Sequence, residues 1–136
     1  MTLTDTGPLV ALINRNDPNH ARCVAATQTL PAEPLLTTWP CFTEAMYLLF
    51  KAGGYSGQEA LWQWRTAGRL VLRDLTKEEI DFMSELMDKY RDLPMDLADS
   101  SLVAAAHQLK TRTVFSLDKD FHIYRLRDGS ALTILP

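Results

Sequence analysis

The sequence predicts an α/β fold, a three-layer α/β/α sandwich with a mostly parallel, twisted sheet of about five strands. Short runs of apolar and β-branched residues alternate with longer segments whose apolar residues recur at helical spacing. Proline, glycine and capping residues separate the two kinds of segment. The 136 residues, 46% hydrophobic and 23% charged, suit one folded domain with a single core, so we expect residues 1–136 to form one domain.

The first elements are a strand and two helices. Residues 2–5 predict a short strand that ends at Asp5. Gly7-Pro8 then predicts a break, after which Pro8 starts a helix over residues 9–13. Pro18 predicts the start of a second helix, which extends to residue 30.

The middle of the chain predicts two strands with two helices between them. Residues 35–37 form the first strand, and Pro40 starts a helix that Gly53-Gly54 ends. A further helix is predicted over residues 56–67. A second strand follows over residues 69–73.

The last third begins with two helix-capping signals. Thr76 and Glu79 form a capping box for a helix that reaches about residue 91. Asp96, after the interruption at Pro94, caps a helix over residues 97–109. Two further strands are predicted, over residues 113–116 and 131–135.

Composition excludes several classes of protein. No apolar run approaches the roughly 20 residues of a membrane helix, and the first residues do not resemble a signal peptide, so we expect a cytoplasmic protein. The histidines have no metal-ligand spacing and the cysteines form no CxxC pair, which argues against zinc and disulfides but leaves a Cys23–Cys41 contact open. The net charge of −3 argues against binding nucleic acid through the overall field. Scattered cations can still line a phosphate groove, although for any one of them a solvated surface charge is the better explanation. These cations are Arg15, Lys51, Arg65, Arg69, Lys119 and Arg125.

Four acids lie where a simple core does not need them. Asp5 and Asp118 follow predicted strands, and in parallel sheets ligands bind beyond the carboxyl ends of the strands at the switch point. Glu44 shares a helix face with Cys41, Ala45, Leu48, Leu49 and Ala52, and Asp99 shares one with Leu102, Val103, Ala106 and Leu109. We therefore expect Glu44 and Asp99 to point towards the core or its rim.

Buried carboxylates require a partner or a cation, because an unpaired buried charge costs several kcal/mol. Oxygen-only ligands favour hard ions such as Mg²⁺ or Mn²⁺, so a divalent cation accounts for all four acids together.

Each acid also has a structural alternative. Asp5 can shape a turn, Glu44 can pair with a distant arginine, and Asp99 can interact with the helix dipole. Asp118 and Asp120 can be turn or cap residues, and Asp96 is better explained as an N-cap than as a ligand. The sequence contains no GxxxxGK[ST], GxGxxG or GxSxG motif, and His107 is expected to be a packed or surface histidine.

The chain resembles the VapC-like toxins of the PIN-domain family along nearly its whole length. The resemblance rests on LTDTGPL (residues 3–9), FTEAMYLL (42–49), PMDLADSSLVAAA (94–106) and FSLDKDF (115–121). It places the four family acids on Asp5, Glu44, Asp99 and Asp118. Secondary positions are Thr6, Asp96, Ser116 and Asp120. Two departures are Gly7, where the family commonly has Asn, and Ser116, where it commonly has Thr.

This resemblance implies a Mg²⁺- or Mn²⁺-dependent endoribonuclease that cleaves single-stranded loops of RNA. It further implies that Asp5, Asp99 and Asp118 bind metal, that Glu44 acts through a water, and that the protein forms a homodimer and binds a VapB-like antitoxin. The helices over 40–52 and 56–67, with Trp62 and Trp64, are the expected dimer surface. The alternatives are a catalytically degenerate PIN module that binds RNA or protein, and another metal-dependent phosphohydrolase.

Overall fold

The computed structural model describes residues 1–136 as a sheet of five strands covered by six helices. The strands are β1 (Thr2–Thr4), β2 (Leu35–Thr38), β3 (Leu70–Arg73), β4 (Thr113–Phe115) and β5 (Thr133–Leu135). The helices are α1 (Thr6–Ile13), α2 (His20–Thr29), α3 (Trp39–Gly53), α4 (Tyr55–Thr66), α5 (Lys77–Lys89) and α6 (Leu97–Leu109). The predicted α/β class is confirmed, and every predicted strand and helix is present within about three residues of its expected ends.

The sheet is entirely parallel, with strand order β3-β2-β1-β4-β5. The central strand β1 pairs with β2 on one side and with β4 on the other, where Leu3 lies opposite Val114. The order of the strands therefore reverses at β1, which makes the edge beyond β1 and β4 the switch point of this sheet. Asp5 and Asp118 both follow strands that end there, so their predicted adjacency in the fold is confirmed.

Helices cover both faces of the sheet. Leu36 belongs to a core shared with α5 and α6, whereas its neighbour Leu35 packs against the core formed by α1, α3 and α4. Such alternation follows from the two-residue period of a strand, which places successive side chains on opposite faces. On the α6 side, a run of alanines (Ala104, Ala105 and Ala106) is almost fully buried and brings the helix close to the sheet.

The first helix begins earlier than the sequence suggested. The predicted break at Gly7-Pro8 is wrong, since both residues lie in the first turn of α1. The carboxylate of Asp5 caps this turn by accepting the backbone N–H of Thr6 at 2.7 Å. Proline is tolerated there because the first-turn N–H groups have no partner within the helix.

The other capping predictions are confirmed. Thr76 accepts the backbone N–H of Glu79, and Asp96 accepts that of Asp99 at 2.7 Å. A short 3₁₀ helix over Lys119–His122 was not predicted. The apolar faces assigned to α3 and α6 are narrower than expected, because Leu48, Ala52 and Leu109 are exposed. No helix is both long and apolar enough to span a bilayer, and both cysteines are free.

Candidate metal centre

One cavity at the carboxyl edge of the sheet brings all four predicted acids together. Its volume is about 280 Å³, and it is lined by Asp5, Thr6, Gly7, Glu44, Leu48, Asp96, Asp99, Leu117 and Asp118. Each of the four acids comes from a different part of the chain. Asp5 follows β1, Glu44 lies on α3, Asp99 lies in the first turn of α6, and Asp118 follows β4.

Asp5 is buried at the floor of this cavity, with 5% of its surface exposed. Its Oδ1 accepts the Thr6 N–H, and its Oδ2 accepts the hydroxyl of Ser116 at 2.8 Å. Burial raises the pKa of Asp5 to about 6, Asp118 and Glu44 add repulsion, and the hydrogen bonds from Ser116 and Thr6 act in the opposite direction. The structural role of Asp5 is therefore confirmed, since its carboxylate caps α1, and its role as a metal ligand stays a prediction.

Asp99 is buried to the same degree. The hydroxyl of Tyr124 donates to its Oδ2 at 2.7 Å. Burial raises the pKa of Asp99 to about 8, against the effect of the Tyr124 hydrogen bond, and repulsion from Asp5, Asp96 and Asp118 adds to the rise. Asp99 belongs to none of the ion pairs of the chain.

Glu44 lies at the rim and is half-buried. Burial raises its pKa, with repulsion from Asp96 and Asp118 in addition. It belongs to none of the five ion pairs of the chain. The alternative that a distant arginine neutralises Glu44 is therefore wrong.

The remaining acids and hydroxyls have structural contacts of their own. Asp118 caps the 3₁₀ helix by accepting the Asp120 N–H at 2.9 Å, and its own N–H donates to the Ser116 hydroxyl at 3.0 Å. Ser116 thus links Asp5 to Asp118. The hydroxyl of Thr6 donates to the carbonyl of Cys41 at 3.3 Å, so only its backbone contacts an acid. Asp120 does not line the cavity.

The predicted phosphate-binding cations are absent from the cavity wall. None of the six lines it. Arg15 and Arg69 line a larger cavity of about 1140 Å³ near the opposite edge of the sheet. The guanidinium of Arg125 donates to the carbonyls of His122, Ile123 and Tyr124, which stabilises the loop behind the site. Their absence from this cavity agrees with the interpretation of these residues as surface charges, and a phosphate groove formed by them stays a prediction.

The acidic cavity fits a hydrated divalent cation better than a fully stripped one. No three acids are close enough to form a compact ligand group as they stand. Yet the lining contains five carboxylates, those of the four predicted acids and of Asp96, and no lysine or arginine. Hard cations such as Mg²⁺ keep several waters and use one or two carboxylates, which suits acids that share a cavity without touching.

Sequence reasoning did not find Tyr124. Its hydroxyl contacts Asp99 across 25 residues of chain. The available signal was an aromatic residue three positions after Phe121, in the segment that follows Asp118. Such a signal is weak, because buried aromatics are common wherever a loop packs on a core.

Solved structures with the same fold include bacterial toxins of toxin–antitoxin pairs. VapC20 of Mycobacterium tuberculosis, described as a sarcin–ricin loop cleaving toxin, superposes with a TM-score of 0.84 at 17% identity over 100% of both chains. A toxin–antitoxin complex from Klebsiella pneumoniae superposes with a TM-score of 0.65 at 17% identity, over 89% of this chain and 90% of the other. VapBC2 of Rickettsia felis, solved with a promoter DNA fragment, gives 0.68 at 13% identity over 99% and 98%. The fold is therefore that of the PIN domains.

The sequence comparison narrows the class. Ribonuclease VapC26 of Mycobacterium tuberculosis is 27% identical over 135 residues, which are 98% of this chain and 99% of that protein. No family model matches the chain. Over its full length this chain is therefore similar to a VapC ribonuclease, and its fold is similar to that of VapC-type toxins.

Proposed function

We propose that this protein is a metal-dependent endoribonuclease and acts as the toxin of a VapBC-type toxin–antitoxin pair. The observation that carries the proposal is the convergence of Asp5, Glu44, Asp99 and Asp118 on one cavity that contains no basic residue. The relatives support the reaction, since one is named a ribonuclease and another a toxin that cleaves the sarcin–ricin loop.

We assign the role of each acid in metal binding from how deeply it is buried. Asp5 and Asp99, the two most buried, are our choice for direct ligands of Mg²⁺ or Mn²⁺. Asp118 completes the ligand set, and Glu44 at the rim orients a water. When bound, the cation supplies positive charge against the charge that develops on the phosphoryl oxygens and makes a nearby water more acidic.

Ser116 has a supporting role in this proposal. Its hydroxyl donates to Asp5 Oδ2 and accepts the N–H of Asp118. A serine hydroxyl can do both at once, because it has one proton and two lone pairs. Ser116 therefore fixes the relative positions of two of the proposed ligands, as the family's threonine would.

The proposed partners are an RNA, an antitoxin and a second copy of the chain. The structural relatives include complexes of toxin with antitoxin, which supports a VapB-like antitoxin. A single-stranded RNA loop in the cytoplasm is the proposed substrate. The proposed homodimer surface lies on α3 and α4, where Tyr47, Phe50, Tyr55 and Trp62 are 61%, 58%, 63% and 43% exposed. Of the two expected tryptophans only Trp62 is suited to it, because Trp64 lines the large cavity with Arg69.

The direct test is RNA cleavage by purified protein, starting with an RNA that carries the sarcin–ricin loop. We expect cleavage with Mn²⁺ or Mg²⁺, none with EDTA, and at least a 100-fold loss in Asp5→Asn. Asp92→Asn is the control, because Asp92 is an exposed acid away from the cavity. Equal, metal-independent cleavage by wild type and Asp5→Asn would refute the proposal.

A second candidate is a PIN module that binds RNA or protein without cutting. Two observations favour it, namely Gly7 in place of the family's Asn and the absence of a compact ligand group. RNA binding by a gel-shift assay without any cleavage in Mn²⁺ would select this candidate. Competition between RNA, DNA and a small phosphate ester would in turn identify another phosphohydrolase.

A further inference from the structure

We propose that Tyr124 is a positioning residue that orients Asp99 so that one carboxylate oxygen faces the acidic cavity. The inference rests on the proposed function and deepens it, because it concerns how one proposed ligand is held. Tyr124 is fully buried, and its hydroxyl donates to Oδ2 of Asp99 at 2.7 Å.

The two oxygens of Asp99 have different surroundings. Oδ2 accepts the tyrosine hydroxyl, whereas no group of the chain donates to Oδ1. Oδ1 is also not among the buried polar atoms that lack a partner, so it retains access to solvent. Since Asp99 lines the acidic cavity, Oδ1 is the oxygen available to a cation there. The hydrogen bond from Tyr124 therefore selects which oxygen faces the cavity.

Asp5 is held in a different way. Both of its oxygens accept hydrogen bonds from residues close to the cavity, namely the Thr6 N–H and the Ser116 hydroxyl. Asp99 has only the single donor from Tyr124 for its side chain. Loss of that donor leaves the carboxylate free to rotate about its Cβ–Cγ bond, because such terminal torsions have broad, roughly two-fold preferences. The orientation of Asp99 thus depends on one hydroxyl.

The ring of Tyr124 is fixed from two sides. It makes edge-to-face contacts with Tyr90 at 5.1 Å and with Phe121 at 5.2 Å between ring centroids. The hydroxyl of Tyr90 accepts the backbone N–H of Arg125 at 3.0 Å, which ties the next residue of the loop to α5. These two ring contacts therefore restrict the position of the Tyr124 hydroxyl, so that it has little access to an acceptor other than Asp99.

A purely structural role is the alternative, since a buried tyrosine hydroxyl needs an acceptor in any case. The two roles differ in what the loss of the hydroxyl changes. A structural hydroxyl affects stability alone, whereas a positioning hydroxyl affects the affinity of the cavity for a divalent cation. Loss of a group that orients a metal ligand typically costs about 10- to 100-fold in metal affinity or activity.

The test compares Tyr124→Phe with Tyr90→Phe. Each change removes one hydroxyl from the same aromatic stack, but only the hydroxyl of Tyr124 contacts an acid. The main measurement is Mn²⁺ affinity by isothermal titration calorimetry. Urea unfolding measures stability, and RNA cleavage measures kcat and KM. We expect about a 10-fold or greater loss of Mn²⁺ affinity in Tyr124→Phe, a fall in kcat with little change in KM, and less than a two-fold change in Tyr90→Phe.

A double variant separates positioning from folding. In an Asp99→Asn background, the further change Tyr124→Phe should leave Mn²⁺ affinity unchanged, because its effect acts through Asp99. Unchanged Mn²⁺ affinity in Tyr124→Phe, or an equal loss in Tyr90→Phe, would overturn the inference. Wild-type protein that binds Mn²⁺ but does not cleave RNA would refute the proposed function alone, and the affinity comparison would still decide the role of Tyr124. Wild-type protein that binds no Mn²⁺ would refute both.

Discussion

Replacement of Asp5 by asparagine should stabilise the metal-free protein at neutral pH while it abolishes cleavage. Burial of Asp5 and the neighbouring acids raise its pKa from the ordinary 3.8 to about 6. The folded protein therefore holds a proton on this group at a pH where the unfolded chain has released it. The resulting stabilisation is complete below about pH 4 and is lost as the pH rises through about 6.

The magnitude follows from the size of the shift. A rise of roughly two pKa units corresponds to about 3 kcal/mol of stability lost between pH 4 and pH 7.5, at about 1.4 kcal/mol per unit. Asparagine cannot ionise, so it avoids this loss, although it forgoes the charge-assisted bonds from Thr6 and Ser116. These bonds offset part of the gain. We expect Asp5→Asn to be more stable than wild type by on the order of 1–2 kcal/mol at pH 7.5.

The assay is urea unfolding of both proteins with EDTA at pH 5 and pH 7.5. The advantage of Asp5→Asn should be largest at pH 7.5 and should shrink towards pH 5, where the wild-type carboxyl is mostly protonated. Asp92→Asn, at an exposed position, should change stability by less than about 0.5 kcal/mol at either pH. An Asp5→Asn protein that is less stable than wild type at pH 7.5 would refute the reasoning.

Three further predictions concern the same cavity. Ser116→Ala should reduce kcat for RNA cleavage about 10-fold or more, because it removes the hydroxyl that joins two acids. Ser56→Ala, at an exposed serine, should have no effect. Equal kcat values for Ser116→Ala and wild type would contradict the role of Ser116. Mn²⁺ should raise the melting temperature more at pH 8 than at pH 5.5, since acids with pKa values of about 6 and 8 must lose protons before they bind a cation; a larger shift at pH 5.5 would count against the site. Gly7→Asn and Gly7→Ala should both fold, because a Cβ at this position meets Leu117 at 3.4 Å. Gly7→Asn should cleave RNA faster than Gly7→Ala, because only asparagine restores the side-chain amide that the family commonly has; equal or slower cleavage would show that the amide has no role here.

The helices and the sheet could be predicted because their signals are local, whereas the choice of the four acids, and of Asp118 above all, also needed the family resemblance. Thr76 and Asp96 cap helices through residues three positions away, which a sequence displays directly. Asp5 was placed at the switch point from the order of strands and helices alone, as parallel crossovers allow few arrangements.

The features that were missed depend on contacts between distant segments. Tyr124 reaches Asp99 only after the loop behind β4 has packed onto α5 and α6. The side-chain bond from Asp5 to Thr6 starts α1 two residues before Pro8, although Gly7-Pro8 favours a turn in isolation. Likewise Arg125 has a side chain that can bind phosphate, but its guanidinium donates to three carbonyls of its own loop.

The most direct test of the central claim is the rate at which Asp99→Asn cleaves a loop-containing RNA in saturating Mn²⁺. Burial raises the pKa of Asp99 to about 8, and no lysine or arginine lines the cavity beside it. A cation site that drives cleavage predicts a rate at least 100-fold below that of wild type and of Asp92→Asn, with the protein still folded. A rate equal to wild type would contradict the claim that these acids hold the ion that cleaves RNA.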